Sequence, residues 1–386
     1  MSIVFSKMKL PLVLLLLLAL VAISVNTAVA GTKTNSNNNK VRVVAITGQE
    51  TSQALSKGCK PVRKVKTLTA LICSENIATS LGLKEDIRVF ALDTDANTQI
   101  KADSVHSSRN TGSGTKVAVI DTGYNYKHPE LASSYLGGID LVNNDSDPLD
   151  DNGHGSHVSG LITADGVASK AKGVAPDVEV LAVKVLNQNG GGYFSDVVAG
   201  IYWVINGPDG VYGTSDDPNV DAINLSLGTS SPYVYKSFCD GVLPDLTNAI
   251  KYARDKGVLV AAAAGNRGSA GVSIPGCISY STTVGAVNKW DKIASFSGRG
   301  KAVDITTPGV SLYSAWLGTD YKSASGTSMA APIVSGVTAL IKVTKPGYSV
   351  YQIEEALFNT AKDLGKSGKD NAYGWGRVEA FAAVNN

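Results

Sequence analysis

Five short stretches of this chain are apolar almost from end to end: KVAVID (116–121), VLAVKV (180–185), DAINLSL (221–227), GVLVAAAA (257–264) and TTVGAV (282–287). A strand with one wet face alternates apolar and polar residues. Runs without alternation belong to strands covered on both faces, the habit of parallel sheets. Helical stretches lie between several of these runs, so the main body is expected to be α/β, an open and mostly parallel sheet flanked by helices. In such sheets function gathers at the carboxyl ends of the strands. With 44% hydrophobic and 18% charged residues among 386, disorder and fibrous structure are excluded. A net charge of +2 excludes a strongly basic nucleic-acid binder.

The front of the chain is different. Lys7 and Lys9 precede an apolar run from Leu10 to Val25, and Ala28-Val29-Ala30 supplies small residues for cleavage. Residues 1–30 therefore read as a secretory signal. The alternative is a transmembrane anchor, for which the run is slightly short and is interrupted at its start by Pro11. Residues 31–40 are Asn-rich and polar, a flexible linker. Strand-like runs follow at 40–47, 65–72 and 87–92, with helical spacing from Ser74 to Gly82. This is a small α+β unit, too small to bury much core alone, so it should dock on a partner surface. Its charge points to the partner: residues 31–92 carry ten basic and four acidic residues, whereas residues 93–386 carry 23 basic and 29 acidic.

Polar residues sit where the carboxyl-end rule places chemistry. Asp121 ends the first run and Asn266 follows the fourth. His154 lies in a glycine-flanked turn opening a helix, and Ser328 precedes the helical run 333–342. A serine hydroxyl needs a base, and histidine titrates near neutrality and can take and return that proton. A buried carboxylate fixes the imidazole tautomer. A side-chain amide donates to an oxyanion, and a helix N-terminus favours developing negative charge. Singly, each residue also reads as an ordinary cap or turn residue. His157 reads equally well as a packing residue.

VAVIDTG (117–123), HGSHVSG (154–160), INLSLG (223–228), AAGN (263–266) and SGTSMAAP (325–332) resemble, in this order, the signature blocks of subtilisin-like serine proteases. The resemblance runs from about Gln99 to Val378. It implies Ser328 as nucleophile, His154 as general base and acid, and Asp121 as the orienting carboxylate. Asn266 and the Ser328 backbone N–H would form the oxyanion hole. It also implies that substrate binds as an added strand between Gly190-Gly191-Gly192 and Ser226-Leu227-Gly228. Phe194 would line a subsite four residues before the cut. Small residues of Ser226–Gly228 and of Ala263, Ala264 and Gly265 would wall a roomy apolar first pocket, and Arg267 at its rim would disfavour basic side chains.

By the same resemblance residues 41–92 are an inhibitor-type propeptide that also acts as chaperone. Its last strand would lie in the substrate groove and be cut between Phe90 and Asp93, leaving a catalytic domain at 93–386. The whole is then a secreted, self-maturing, monomeric endopeptidase acting on proteins or peptides. It touches a membrane only through its signal and needs no cofactor for chemistry. The acidic loop 207–219 reads either as a solvated loop or as a calcium site on Asp209, Asp216 and Asp217 with Asp221 nearby, although its spacing is no EF-hand pattern. Glu130 matches a family position that often supplies a calcium carboxylate, but Ala164–Ser169 lacks the Asn of the family's companion loop. Four cysteines allow three connectivities. Maturation would separate the halves, which favours Cys59–Cys73 and Cys239–Cys277, the latter beside the pocket. The rival functions are a catalytically silent surface-binding relic and a nucleotide binder built on Gly112-Ser-Gly-Thr-Lys116. That glycine loop precedes its strand, contrary to either phosphate-loop template.

Overall fold

In the computed structural model, which describes residues 40–91, 99–168 and 171–386, the front unit is an antiparallel sheet under two short helices. It runs β1 (Lys40–Ala45), α1 (Gly48–Ser56), β2 (Lys60–Lys64), β3 (Thr69–Ser74), α2 (Glu75–Ser80), β4 (Lys84–Glu85) and β5 (Arg88–Ala91). The sheet order is β2-β3-β1-β4. α1 begins with a capping box in which Thr47 Oγ1 accepts from the Glu50 N–H and Glu50 reaches back to the Thr47 N–H. That helix was not expected from its weakly amphipathic sequence. The expected 65–72 strand is split: Val65 to Leu68 makes a turn, closed by the Val65 N–H on the Leu68 carbonyl, between β2 and β3. β2, KPVRK, is an edge strand with no apolar face to betray it. β5 does not join this sheet at all.

The main body follows α3 (Ala102–Ser107) with β6 (Lys116–Asp121), β7 (Tyr135–Asp140), α4 (His154–Thr163), β8 (Glu179–Lys184), β9 (Gly191–Tyr193), α5 (Phe194–Asn206), β10 (Ala222–Leu225) and β11 (Leu227–Gly228). Then come β12 (Val234–Tyr235), α6 (Pro244–Asp255), β13 (Leu259–Ala263), β14 (Val272–Ser273), β15 (Thr282–Val287), β16 (Ile305–Pro308) and the hairpin β17 (Val310–Ala315)–β18 (Tyr321–Ser325). The chain ends with α7 (Thr327–Thr344), α8 (Val350–Asn359) and α9 (Ala380–Asn385). Seven strands form one parallel sheet in the order β16-β15-β13-β10-β6-β8-β7. Five of them are the apolar runs. β7 and β16 lie at the edges, where YLGGID and ITTP carry a weaker apolar signal.

Both faces are covered, as the lack of alternation requires. Val117 and Val119 of β6 point into the core shared with α4 and α7, while Ala118 and Ile120 point into the core shared with α5 and α6. α7 is apolar enough to cross a membrane by length and composition, but it is the buried central helix of this fold. The order reverses around β6 and β10, and the carboxyl ends of those strands frame a crevice.

Candidate active site

Asp121 is the last residue of β6, and His154 is the first residue of α4. His154 Nδ1 lies 2.7 Å from Asp121 Oδ1, which also accepts the Thr122 N–H at 2.7 Å. Both residues are fully buried. The carboxylate thus fixes the Nδ1–H tautomer and puts the imidazole's lone pair on Nε2.

The turn that presents His154 is organised by Asp150, which sequence reasoning overlooked. Its carboxylate accepts the N–H groups of Asn152, Gly153 and Ser156 and the hydroxyls of Thr122 and Ser156, at 2.6 to 3.0 Å. Thr122 Oγ1 in turn accepts the Gly155 N–H at 2.8 Å, tying α4 to the end of β6. Gly155 has to be glycine: a Cβ there would sit 2.1 Å from the Gly123 carbonyl oxygen. Lys184, at the register position beside Asp121, is also buried; its ammonium reaches the Thr122 and Leu186 carbonyls and Asp151. An Asp preceding a glycine-flanked turn is an ordinary capping signal that would have found Asp150. A lysine at a strand end carries no comparable signal.

Ser328 is the second residue of α7. Its side chain is buried, and its Oγ has no hydrogen-bond partner among the described residues. Its carbonyl accepts the Ser226 hydroxyl at 2.5 Å; Ser226 Oγ accepts from Asn224 Nδ2, and Asn224 Oδ1 accepts from Ser335. This buried relay locks α7 to β10. Asn266 Oδ1 accepts the Thr327 N–H at 3.0 Å and the Thr327 hydroxyl at 3.2 Å. A backbone N–H can only donate, so the Asn266 amide NH₂ is the end left for another acceptor. Asp121, His154, Asn266 and Ser328 therefore all sit on the rim formed by β6, α4, β13 and α7.

A strand already lies beside them. β5 pairs antiparallel with β9 (Val89 with Gly192, Phe90 with Gly191) and with β11 (Phe90 with Gly228, Ala91 with Leu227). Its direction carries the chain toward Ser226 and Ser328. Gly190 is not part of this lane; at φ +70° it closes the turn leading into β9, its N–H on the Asn187 carbonyl. Gly265, at φ +91°, lies against Ser273, whose Oγ a Cβ would approach to 2.2 Å. Ser273 thus joins Ala264 and Gly265 at the proposed first pocket, a residue the sequence did not single out. Arg267 is exposed beside Asn266. Phe194 is buried at the start of α5, lining a cavity of about 240 Å³ with Val44, Ile46 and Ile87 of the front unit. The expected cut between Phe90 and Asp93 lies largely outside the described residues.

The front unit is held by ions as well as by pairing. Arg42 meets Asp86 at 2.6 Å and Asp196 at 2.9 Å, and Arg63 meets Asp196 at 2.6 Å. Asp86 also accepts from the N–H and hydroxyl of Ser195, capping α5 across the junction. Burial pushes the Asp86 carboxyl above its usual range, against the pull of Arg42 and Ser195. Cysteines pair within each part, Cys59 with Cys73 and Cys239 with Cys277. The Cys277 N–H bonds to the Ser273 carbonyl, so the second disulfide braces the pocket side of the body.

The residues expected to hold calcium accept hydrogen bonds from the protein around them. Glu130 accepts from the Tyr321 hydroxyl and the Gly166 N–H. Asp209, Asp216 and Asp217 accept N–H groups of their own loop, from Val211, Asp209 and Gly213 respectively. Asp221 accepts the Lys116 N–H. Among the described residues no three metal-binding side chains converge. His157 packs: its ring bonds to the Lys322 carbonyl and meets Trp316 edge-on.

A buried carboxylate–imidazole pair and a helix-borne serine at the carboxyl ends of a parallel sheet define a serine hydrolase of the α/β class. Residues 112–376 match the model of the Subtilase family. Among curated relatives, subtilisin BL of Lederbergia lenta is 40% identical over 286 residues, 74% of this chain and 96% of that protein. Subtilisin E of Bacillus subtilis (strain 168) is 39% identical over 295 residues, 74% of this chain and 70% of that protein. A thermophilic serine proteinase of Bacillus sp. (strain AK1) is 39% identical over 273 residues, and there the chain spans 62% of the relative's length. The chain belongs to the subtilase family of serine endopeptidases.

Proposed function

We propose that this protein is an exported endopeptidase made as a self-processing precursor. His154 Nε2 takes the Ser328 proton as Oγ bonds to the scissile carbonyl carbon. The oxyanion is held by the Asn266 amide and the Ser328 N–H. The proton then passes to the leaving amine as the C–N bond breaks, and water, activated by the same imidazole, hydrolyses the acyl-enzyme. Substrates bind by main-chain pairing in the lane between β9 and β11, which asks little of their sequence. A residue one step beyond the partner of Leu227 falls opposite Ser226, next to Ser328. The precursor's own cut is proposed to follow Leu92, at the end of residues 41–92.

The observation that carries this reading is β5: a strand of the chain's own front unit occupies the lane that leads to Ser328. Residues 41–92 act in it as inhibitor and chaperone, and residues 1–30 as the export signal. The test is Ser328→Ala. The purified variant should stay at precursor length while the parent shortens to a new N-terminus at Asp93, and a sulfonyl fluoride should label Ser328 in the parent. Normal processing of the isolated variant would defeat the proposal.

A further inference from the structure

The lane between β9 and β11 accounts for residues before the cut. The turn that ends at His154 and the helix it opens meet the hairpin β17–β18 directly: the Ser314 hydroxyl donates to the His157 carbonyl, and the His157 ring bonds to the Lys322 carbonyl. Trp316, between these two strands, is packed under that turn: a Cβ on Gly153 would lie 2.4 Å from its ring. The exposed Lys322 of β18 sets its ammonium 3.9 Å over the same ring. Among the described residues Lys322 forms no ion pair, so its charge is held in place but not neutralised. Strand alternation puts the small Ala324 on the same face as Lys322.

We infer that Lys322 on Trp316 forms a leaving-group-side subsite that selects acidic side chains within the first three residues after the cut. The inference rests on the endopeptidase reading above. The chain's own sequence fits it: the residues following the proposed cut are Asp93-Thr94-Asp95. A carboxylate there would meet an ammonium already oriented by the indole face, so little side-chain entropy is lost on binding.

The test uses the mature enzyme and two internally quenched peptides that differ only in Asp or Lys at the first and third positions after the cut. The parent should favour the Asp peptide on the order of fivefold in kcat/KM at low salt. That ratio should collapse toward one in 1 M salt, where the screening length is about 3 Å. Lys322→Glu should invert the ratio, and Trp316→Ala should shrink it. An equal ratio in parent and Lys322→Glu overturns the subsite. Hydrolysis of a chromogenic substrate with no amino acid after the cut, together with labelling of Ser328, reports separately on the endopeptidase reading in the parent. If both fail, that reading and the subsite fall together; if both succeed with no Asp preference, only the subsite falls.

Discussion

Catalytic geometry here depends on contacts between main chains as much as on the reactive side chains. The turn before α4 approaches the end of β6 so closely at Gly155 that one added methyl meets a carbonyl. Gly155→Ala should therefore shift His154 against Asp121 and lower kcat about 10²-fold with little change in KM, a split measurable by steady-state kinetics. Asn266→Ala removes an amide that Thr327 already aims. Its expected cost, about 10²–10³ in kcat, is a range carried over from another subtilase, and an unchanged kcat would remove Asn266 from the oxyanion hole. Most of this site was legible in the sequence because its reactive residues lie in contiguous blocks at strand or helix ends. Asp150 carried only an ordinary capping signal, and Asn224, Lys184 and Ser273 were not legible. Their roles exist only after distant segments meet, and nothing local distinguishes them from a cap, a strand residue or a loop serine.

At the scale of elements, the apolar runs gave away the central strands, whereas edges and local caps escaped. β2 is polar because it borders solvent and the body's acidic groups, and β5 follows the apolar pattern of a strand yet joins another sheet. The C-terminal turn shows the opposite case, a polar segment with a definite structure. Partial burial disfavours the Asp370 carboxylate, but the N–H groups of Tyr373, Lys366 and Ala372 outweigh it and hold the carboxyl below its usual range. A folded-state value below the unfolded one stabilises above the ordinary carboxylate range near pH 4 and is lost as pH falls further. Asp370→Ala should thus lower Tm by about 2 °C at pH 7. The difference from the parent should narrow in thermal scans taken progressively below pH 4.

Across the whole molecule the two parts meet through a strand, a helix cap, a small ion network and an apolar contact in which Val44, Leu68 and Ala70 join the body's core beside Phe194 and Leu243. In the Ser328→Ala precursor, Arg42→Ala leaves Asp86 buried without its cation, which should loosen the front unit by about 3 kcal/mol. Faster digestion of residues 40–91 by added trypsin would register this, and unchanged digestion would count against the network. Burial raises the Asp86 carboxyl above its usual range, and Arg42 works against that rise by favouring the charged form. As pH falls through that raised value the carboxyl protonates, and the gap between variant and parent should close. Both disulfides close within their own part, Cys59–Cys73 in front and Cys239–Cys277 behind. Hydrolysis of one bond between them therefore leaves no covalent tether. On the proposed precursor reading, that cut would turn a neighbour at an effective concentration in the millimolar range into a ligand that dilution can carry away, and activation would become irreversible once the released piece had diffused off.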